Sequence, residues 1–260
     1  MHTNPLILSL ILLMGFVTYS YGDSQYRLSK SEFYYEDNLE LLHTYKYSED
    51  SLLIEERSYN EANELEKIYK HEYDQDKNRT RTTTFDVKTG LLGYTLMMYD
   101  DNKNKVYENT FTHKGKEEDS YSNVYDDKNR LIQSTYHHYP TNTVNYYKYE
   151  YPQPHKEICY SYDEDDTLLS YFVTEYDDED RIIKNSEFTA SDLILNYLAY
   201  EYNDKGLKTT EAFKTRRGLQ YVIRFEYDQK GNLIKESTYD EGSTLESYSL
   251  YYYDPVPLLN

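Results

Sequence analysis

Residues able to do chemistry are plentiful in this sequence, and most of them sit in short polar stretches. Asp74, Asp76 and Asn78 follow the alternating opening of a calcium loop, in which every second side chain turns an oxygen toward one ion. The rest of such a loop is missing, because Arg79 stands where glycine is needed and Phe85 where a bidentate glutamate should be. The acidic runs from Asp163 to Asp166 and from Asp177 to Asp180 read equally well as solvated turns. His43, His71, His113, His137, His138 and His155 form no HExxH or Cys–His ligand pattern. Cys159 is the sole cysteine, so no disulfide forms within the chain. No nucleophile elbow and no glycine-rich phosphate loop occurs. Carboxylate pairs carry little information in a chain with 47 acids. No residue is therefore assigned a catalytic role, no metal site or cofactor is expected, and the protein is expected not to be an enzyme.

The residue type that stands out is tyrosine, with 35 copies against no tryptophan. A tyrosine ring offers a large apolar area and a hydroxyl that needs water or a partner, so a fold built on it is thin and half-wet. Such rings also serve as stacking platforms. Tyr149, Tyr200 and Tyr251 occupy equivalent sites two residues before a repeated aromatic, and they are the candidate ligand-binding residues. The same site is Met97 or Asn123 elsewhere, so it is not bound to be core. The net charge of −19 excludes nucleic acid and anionic membranes as partners, because phosphate contacts need clustered Lys and Arg. The one basic spot, Lys214 with Arg216 and Arg217, reads as a charged turn. The partners that remain are a protein surface or a neutral glycan.

The elements that position these residues follow from an internal repeat. An aromatic recurs at Tyr47, Tyr73, Tyr99, Tyr125, Tyr151, Tyr176, Tyr202, Tyr227 and Tyr253. Half a period away runs a second series, through Phe33, Tyr59, Phe85, Phe111, Tyr136, Tyr162, Phe188, Phe213 and Tyr239. Both series advance by about 26 residues at each step, which marks a structural repeat. Between the aromatics lie runs rich in Tyr, Thr, Ile and Phe, which is strand chemistry, and then Asp, Asn and Gly clusters, which favour turns. One unit is thus a β-hairpin with its connection. The fold class is all-β, a meander of about 18 short strands forming one domain over residues 23–260. Residues 61–73 contain good helix formers, yet Tyr59 and Tyr73 keep phase with every other unit, so strand is expected there too.

In the strand before Tyr227, Tyr221, Ile223 and Phe225 share the face of Tyr227, and Val222, Arg224 and Glu226 share the other. Glu72, Glu150, Glu175, Glu201 and Glu226 recur at one phase, so a ladder of repelling glutamates is expected, with moderate salt stabilising the fold. A twisted sheet of this many strands does not stay flat. A curled or spiral sheet, or a half-barrel, that covers its own aromatic face is expected.

The apolar run from Leu6 to Val17 is too short to span a bilayer and fits the core of a signal peptide. Ser20 and Gly22 supply the small residues of a cleavage site before Asp23, so residues 1–22 are expected to be removed and the mature chain to carry no transmembrane segment. The expected location is secreted, periplasmic or cell-surface.

The residues at these phases also carry a resemblance. Tyr227-Asp228 with Gly231-Asn232-Leu233, Tyr125-Asp126 with Asn129-Arg130-Leu131, and Tyr176-Asp177 with Asp180-Arg181-Ile182 resemble the YD repeat of the RHS family. Weaker copies stand at Tyr73-Asp74, Tyr99-Asp100 and Tyr202-Asn203. The resemblance implies a secreted or envelope-associated bacterial protein whose hairpins wind into a shell-like β-spiral. Large members of that family enclose a C-terminal toxin and have been linked to carbohydrate binding. This sequence departs from them in having no toxin-sized segment after its last repeat, too few hairpins for a large shell, and Pro152 in place of the Asp after Tyr151. The function expected is that of a non-enzymatic repeat protein of the envelope or exterior, acting as a structural or adhesive surface. The alternative is a carbohydrate-binding module that uses its repeated tyrosines.

Overall fold

The computed structural model describes residues 26–256, and the signal segment read from the sequence lies outside them. The first half of the chain forms β1 (Tyr26–Tyr35), β2 (Asn38–Tyr47), β3 (Leu53–Tyr59), β4 (Leu65–Tyr73), β5 (Arg79–Asp86), β6 (Gly90–Tyr99), β7 (Lys105–Thr112), β8 (Glu117–Tyr125) and β9 (Leu131–His138). The second half forms β10 (Thr143–Gln153), β11 (Lys156–Tyr162), β12 (Leu168–Tyr176), β13 (Ile182–Thr189), β14 (Ile194–Tyr202), β15 (Lys208–Thr215), β16 (Gly218–Tyr227), β17 (Leu233–Asp240) and β18 (Leu245–Pro255). Each strand pairs antiparallel with its sequence neighbours, and β18 returns to pair with β1 from Tyr26↔Pro255 to Tyr35↔Ser247. The sheet therefore closes into an 18-stranded barrel, where the sequence had pointed to a curled or spiral sheet. No helix among the described residues is long and apolar enough to cross a membrane, which says nothing of a barrel.

Closure has a local cause that recurs in every unit. The pairing shifts by one residue just before the anchor tyrosine, at Glu72/Tyr73, Met98/Tyr99, Glu201/Tyr202 and Glu226/Tyr227, and similarly at the other end of the hairpins, at Thr84/Phe85 and Thr110/Phe111. Each shift is a β-bulge, and bulges add bend and twist to a sheet. Repeated around the molecule they coil the meander until its two edges meet.

The turns explain the Tyr-Asp signature. In each, the residue after the anchor donates its N–H to the carbonyl four residues on: Asp74 to Asn78 at 3.0 Å, Asp126 to Arg130 at 2.9 Å, Asp228 to Asn232 at 2.9 Å. The fourth residue of the turn is left-handed, as at Lys77 (φ 67°), Asn129 (φ 60°) and Gly231 (φ 86°), the geometry of a type I turn closed by a left-handed residue. The Asp carboxylate then caps the backbone: Asp228 accepts from the N–H of Lys230 and Asn232 at 2.8 and 2.9 Å. Asp74 of the calcium-like stretch does the same, taking the N–H of Asn78 at 2.8 Å and its side-chain amide at 3.0 Å.

The anchor tyrosines close the hairpin ends. Tyr73, Tyr99, Tyr125, Tyr151, Tyr202 and Tyr227 donate their hydroxyls to the carbonyls of Leu53, Arg79, Lys105, Leu131, Ile182 and Lys208, at 2.7 to 3.0 Å. Each bond ties a tyrosine at the end of its strand, or in the case of Tyr151 two residues short of it, to the first residue of the strand before it. Strand β4 obeys the same rule, so pairing overrides the helix propensity of residues 61–73.

The expected glutamate ladder is not formed as a run of touching acids. Equivalent glutamates lie two strands apart, about 10 Å from one another, and Glu72, Glu175 and Glu226 each face a cation on the next strand, while Glu150 faces Ile158 and Glu201 faces Thr210. Glu175 stands opposite Lys184, Glu226 opposite Lys235, and Glu72 opposite Arg81 with 3.9 Å between their charged atoms. The row is further broken by Met98 and Val124.

Candidate functional site

One layer of sheet is the whole molecule, so its concave face can shield side chains only by bringing them together. Two adjacent methionines show which face that is: Met97 is 5% exposed and Met98 59%. The Met97 face, shared by His71, Thr174 and Phe225 at the same phase, is the inner wall. Only Met97, Cys159, Val173, Leu207 and Phe225 are buried apolar residues among the described chain, so there is no oily core. The side-chain contacts described here run along the wall between nearby strands.

The inner wall is polar and acidic. Tyr45 stands opposite Glu56, Met97 opposite Glu108, Tyr200 opposite Glu211 and Phe225 opposite Glu236. Lys208, 6% exposed, bonds Glu211 at 2.8 Å and lies 4.2 Å from the centre of the Phe225 ring. Burial pushes the Glu236 carboxyl above its ordinary range, against the hydrogen bond from Tyr251. Burial also raises the Glu157 carboxyl, against a hydrogen bond from Tyr151.

The three candidate tyrosines all reach this wall. Tyr149 is in register with Cys159, and burial pushes the Tyr149 hydroxyl well up and the thiol up to about 12. Tyr251 donates to Glu236 at 3.0 Å, and burial with that carboxylate raises its hydroxyl. Tyr200 lies beside Glu211 and Lys208, whose Nζ is 5.5 Å from the centre of its ring. They stand on β10, β14 and β18, four strands apart, or roughly 19 Å along the wall. The structure thus gives them one phase and one face without bringing them together.

A different cluster forms a cavity at the rim that carries the Tyr-Asp turns. There Pro152 replaces the capping Asp, and β10 and β11 stay paired out to Gln153↔Lys156, with His155 left-handed at φ 58°. The longer hairpin is held by the N–H of Tyr176, which donates to the His155 carbonyl at 2.9 Å. Between it and the neighbouring turns lies a cleft of about 560 Å³, lined by Arg130, Tyr151, Pro152, Gln153, Pro154, His155, Lys156, Tyr176 and Asp180. Arg130 bonds Asp126 through Nε at 2.8 Å and Nη2 at 2.6 Å, and its guanidinium lies 4.5 Å over the Tyr151 ring. His155 and Asp180 pair at 3.2 Å. The sequence showed Pro152 as a departure from the repeat. The signal for the cleft was that substitution, together with the acid-free stretch Gln153, Pro154, His155 and Lys156 in a rim whose other turns carry acids.

No family model and no curated protein sequence matches this chain. Among solved structures it is similar to a porin-like protein from Bacteroides uniformis, at 11% identity and a TM-score of 0.47, over 87% of this chain and 96% of that one. A porin-like protein from Bacteroides vulgatus is 12% identical with a TM-score of 0.40, over 88% of this chain and 98% of that one. A TcdB2–TccC3–Cdc42 complex is 11% identical with a TM-score of 0.34, over 80% of this chain and 14% of that one. Overlaps this loose fix neither ancestry nor function. The RHS resemblance rests on its Tyr-Asp signature alone.

Proposed function

We propose that this chain is an exported, non-enzymatic repeat barrel of the cell envelope or exterior that works in water as a structural and adhesive surface. The observation that carries this is the presence of charge on both faces of the wall. The outer face bears Glu72, Glu175 and Glu226 with their Arg and Lys partners, and the inner face bears Glu56, Glu108, Glu211 and Glu236. A bilayer-spanning barrel needs an outward apolar band between aromatic girdles, whereas here the phase that carries the exposed Met98 and Val124 also carries Glu72, Glu175 and Glu226. The absence of enzymatic activity is supported by the use made of the acids: the turn aspartates cap backbone, and the inner glutamates bond Lys and Tyr. Protein surfaces or neutral glycans are the partners this acidic surface admits, with the inner-wall row of Tyr149, Tyr200 and Tyr251 as the glycan contacts of the alternative reading.

The test is partition between water and lipid. Purified without detergent, the protein is expected to elute as one dispersed species and to stay in the supernatant when vesicles of phosphatidylcholine and phosphatidylglycerol are sedimented. Beads coated with it are expected to adhere to polysaccharide-coated or protein-coated glass. Insertion into the vesicles, or beads that adhere to neither surface, would overturn the proposal.

A further inference from the structure

We propose that the rim cleft at the β10–β11 hairpin is a binding site for a small carboxylate with an apolar body. The cleft is where the acidic rim is interrupted. At the other turns of this rim the first residue is Ser48, Asp74, Asp100, Asp126, Asp177, Asn203 or Asp228, and the stretch from Pro152 to Lys156 brings no acid at all.

The hydrogen-bonding groups that face the cleft are mostly donors. Asp126 engages Nε and Nη2 of Arg130, which leaves the two N–H groups of Nη1 free to face a ligand, while the ring of Tyr151 holds the guanidinium plane in place. Lys156 lines the cleft and stands in register with Glu175 on β12, with no carboxylate within ion-pair distance of its ammonium among the described residues. Gln153 adds an amide at the mouth. Nδ1 of His155 lies 3.2 Å from Asp180, so the imidazole already engages the one carboxylate of the lining. A fixed guanidinium edge and an ammonium are a match for the two oxygens of a carboxylate. The remaining lining, Tyr176 with Pro152 and Pro154, is apolar, and the volume of about 560 Å³ lies within the range of small-molecule sites. One negative charge suffices to satisfy the free donors. A more highly charged anion meets the field of a chain with net charge −19, so the ligand class is a monoanion.

The probes are benzoate, its uncharged analogue benzamide, and inorganic phosphate, titrated into the full exported protein and followed by ligand-observed NMR and by the ring signals of Tyr151 and Tyr176. Benzoate is expected to bind and benzamide not. Lys156→Met is expected to weaken benzoate about tenfold. Pro152→Asp, which restores the acid found at the other turns, is expected to abolish binding while the barrel stays folded. Gln153→Ala serves as a milder variant at an exposed position, with a smaller loss. Equal binding of benzamide and benzoate, preference for phosphate, or no benzoate response at concentrations that saturate weak sites would each overturn the proposal. These readouts do not depend on lipid partition or bead adhesion, so failure here leaves the water-facing barrel standing.

Discussion

Asp228 shows how much a single side chain does in this fold. Its carboxylate takes the N–H of Lys230 and of Asn232 and the side-chain amide of Asn232, which is 2% exposed. Asp228→Ala strands those donors and should cost about 1 to 2 kcal/mol, read from urea unfolding. A change no larger than that of a surface substitution would deny the cap its role. The same capping sets the acid response. Hydrogen bonds from Asn78, Asn104 and Arg130 hold the carboxyls of Asp74, Asp100 and Asp126 below their ordinary range. Their stabilisation is complete above the unfolded value near pH 4 and is lost as pH falls through the lower folded values. Glu236 runs the other way: burial raises its folded pKa, so the stability it confers is present below the unfolded value and lost as pH rises through the folded one. Glu236→Gln should therefore raise the melting temperature at pH 7 and leave it nearly unchanged at pH 4, and a fall at pH 7 would refute the assignment. The turn aspartates were legible from sequence because an Asp beside a glycine or asparagine acts locally. Glu236 was not, because its burial comes from the curvature of the wall and not from its neighbours in the chain.

At the scale of the hairpin, the anchor tyrosine is the tie between strands. Tyr99→Phe keeps the ring and removes only the hydroxyl that reaches the Arg79 carbonyl at 2.9 Å. It should lower stability by about 1 kcal/mol, measured by the shift of the denaturation midpoint, and an unchanged midpoint would show that water replaces the bond at no cost. The hairpins were readable in advance because two aromatic series hold phase through Tyr59 and Tyr73, where propensity favours helix. The rim cleft was not readable as a site. Pro152 marked the break, but Arg130 and Tyr176 come from neighbouring hairpins, and only the paired strands set them around it. The glutamate row misled for a related reason: sequence phase aligns Glu175 with Glu201 and does not show Lys184 on the strand between them, opposite Glu175.

For the whole molecule the decisive feature is closure, which no single bulge produces. The β1–β18 pairing joins residues such as Phe33 and Ser249 from opposite ends of the chain, and it depends on the twist summed over every bulge between them. Removing residues 245–260 leaves the edges of β1 and β17 unpaired, so the truncated protein should aggregate and lose its cooperative transition. An open spiral would lose only one unit's share of stability. The most direct measurement is a cross-link at the seam. With Cys159→Ser to remove the native thiol, Phe33→Cys and Ser249→Cys place two thiols at a register pair, where antiparallel Cα spacing of about 5 Å suits a disulfide. Mild oxidation of the folded protein should give an intramolecular disulfide in a monomer that runs faster on a non-reducing gel. Free thiols after oxidation, or disulfides found only between molecules, would contradict the closed barrel.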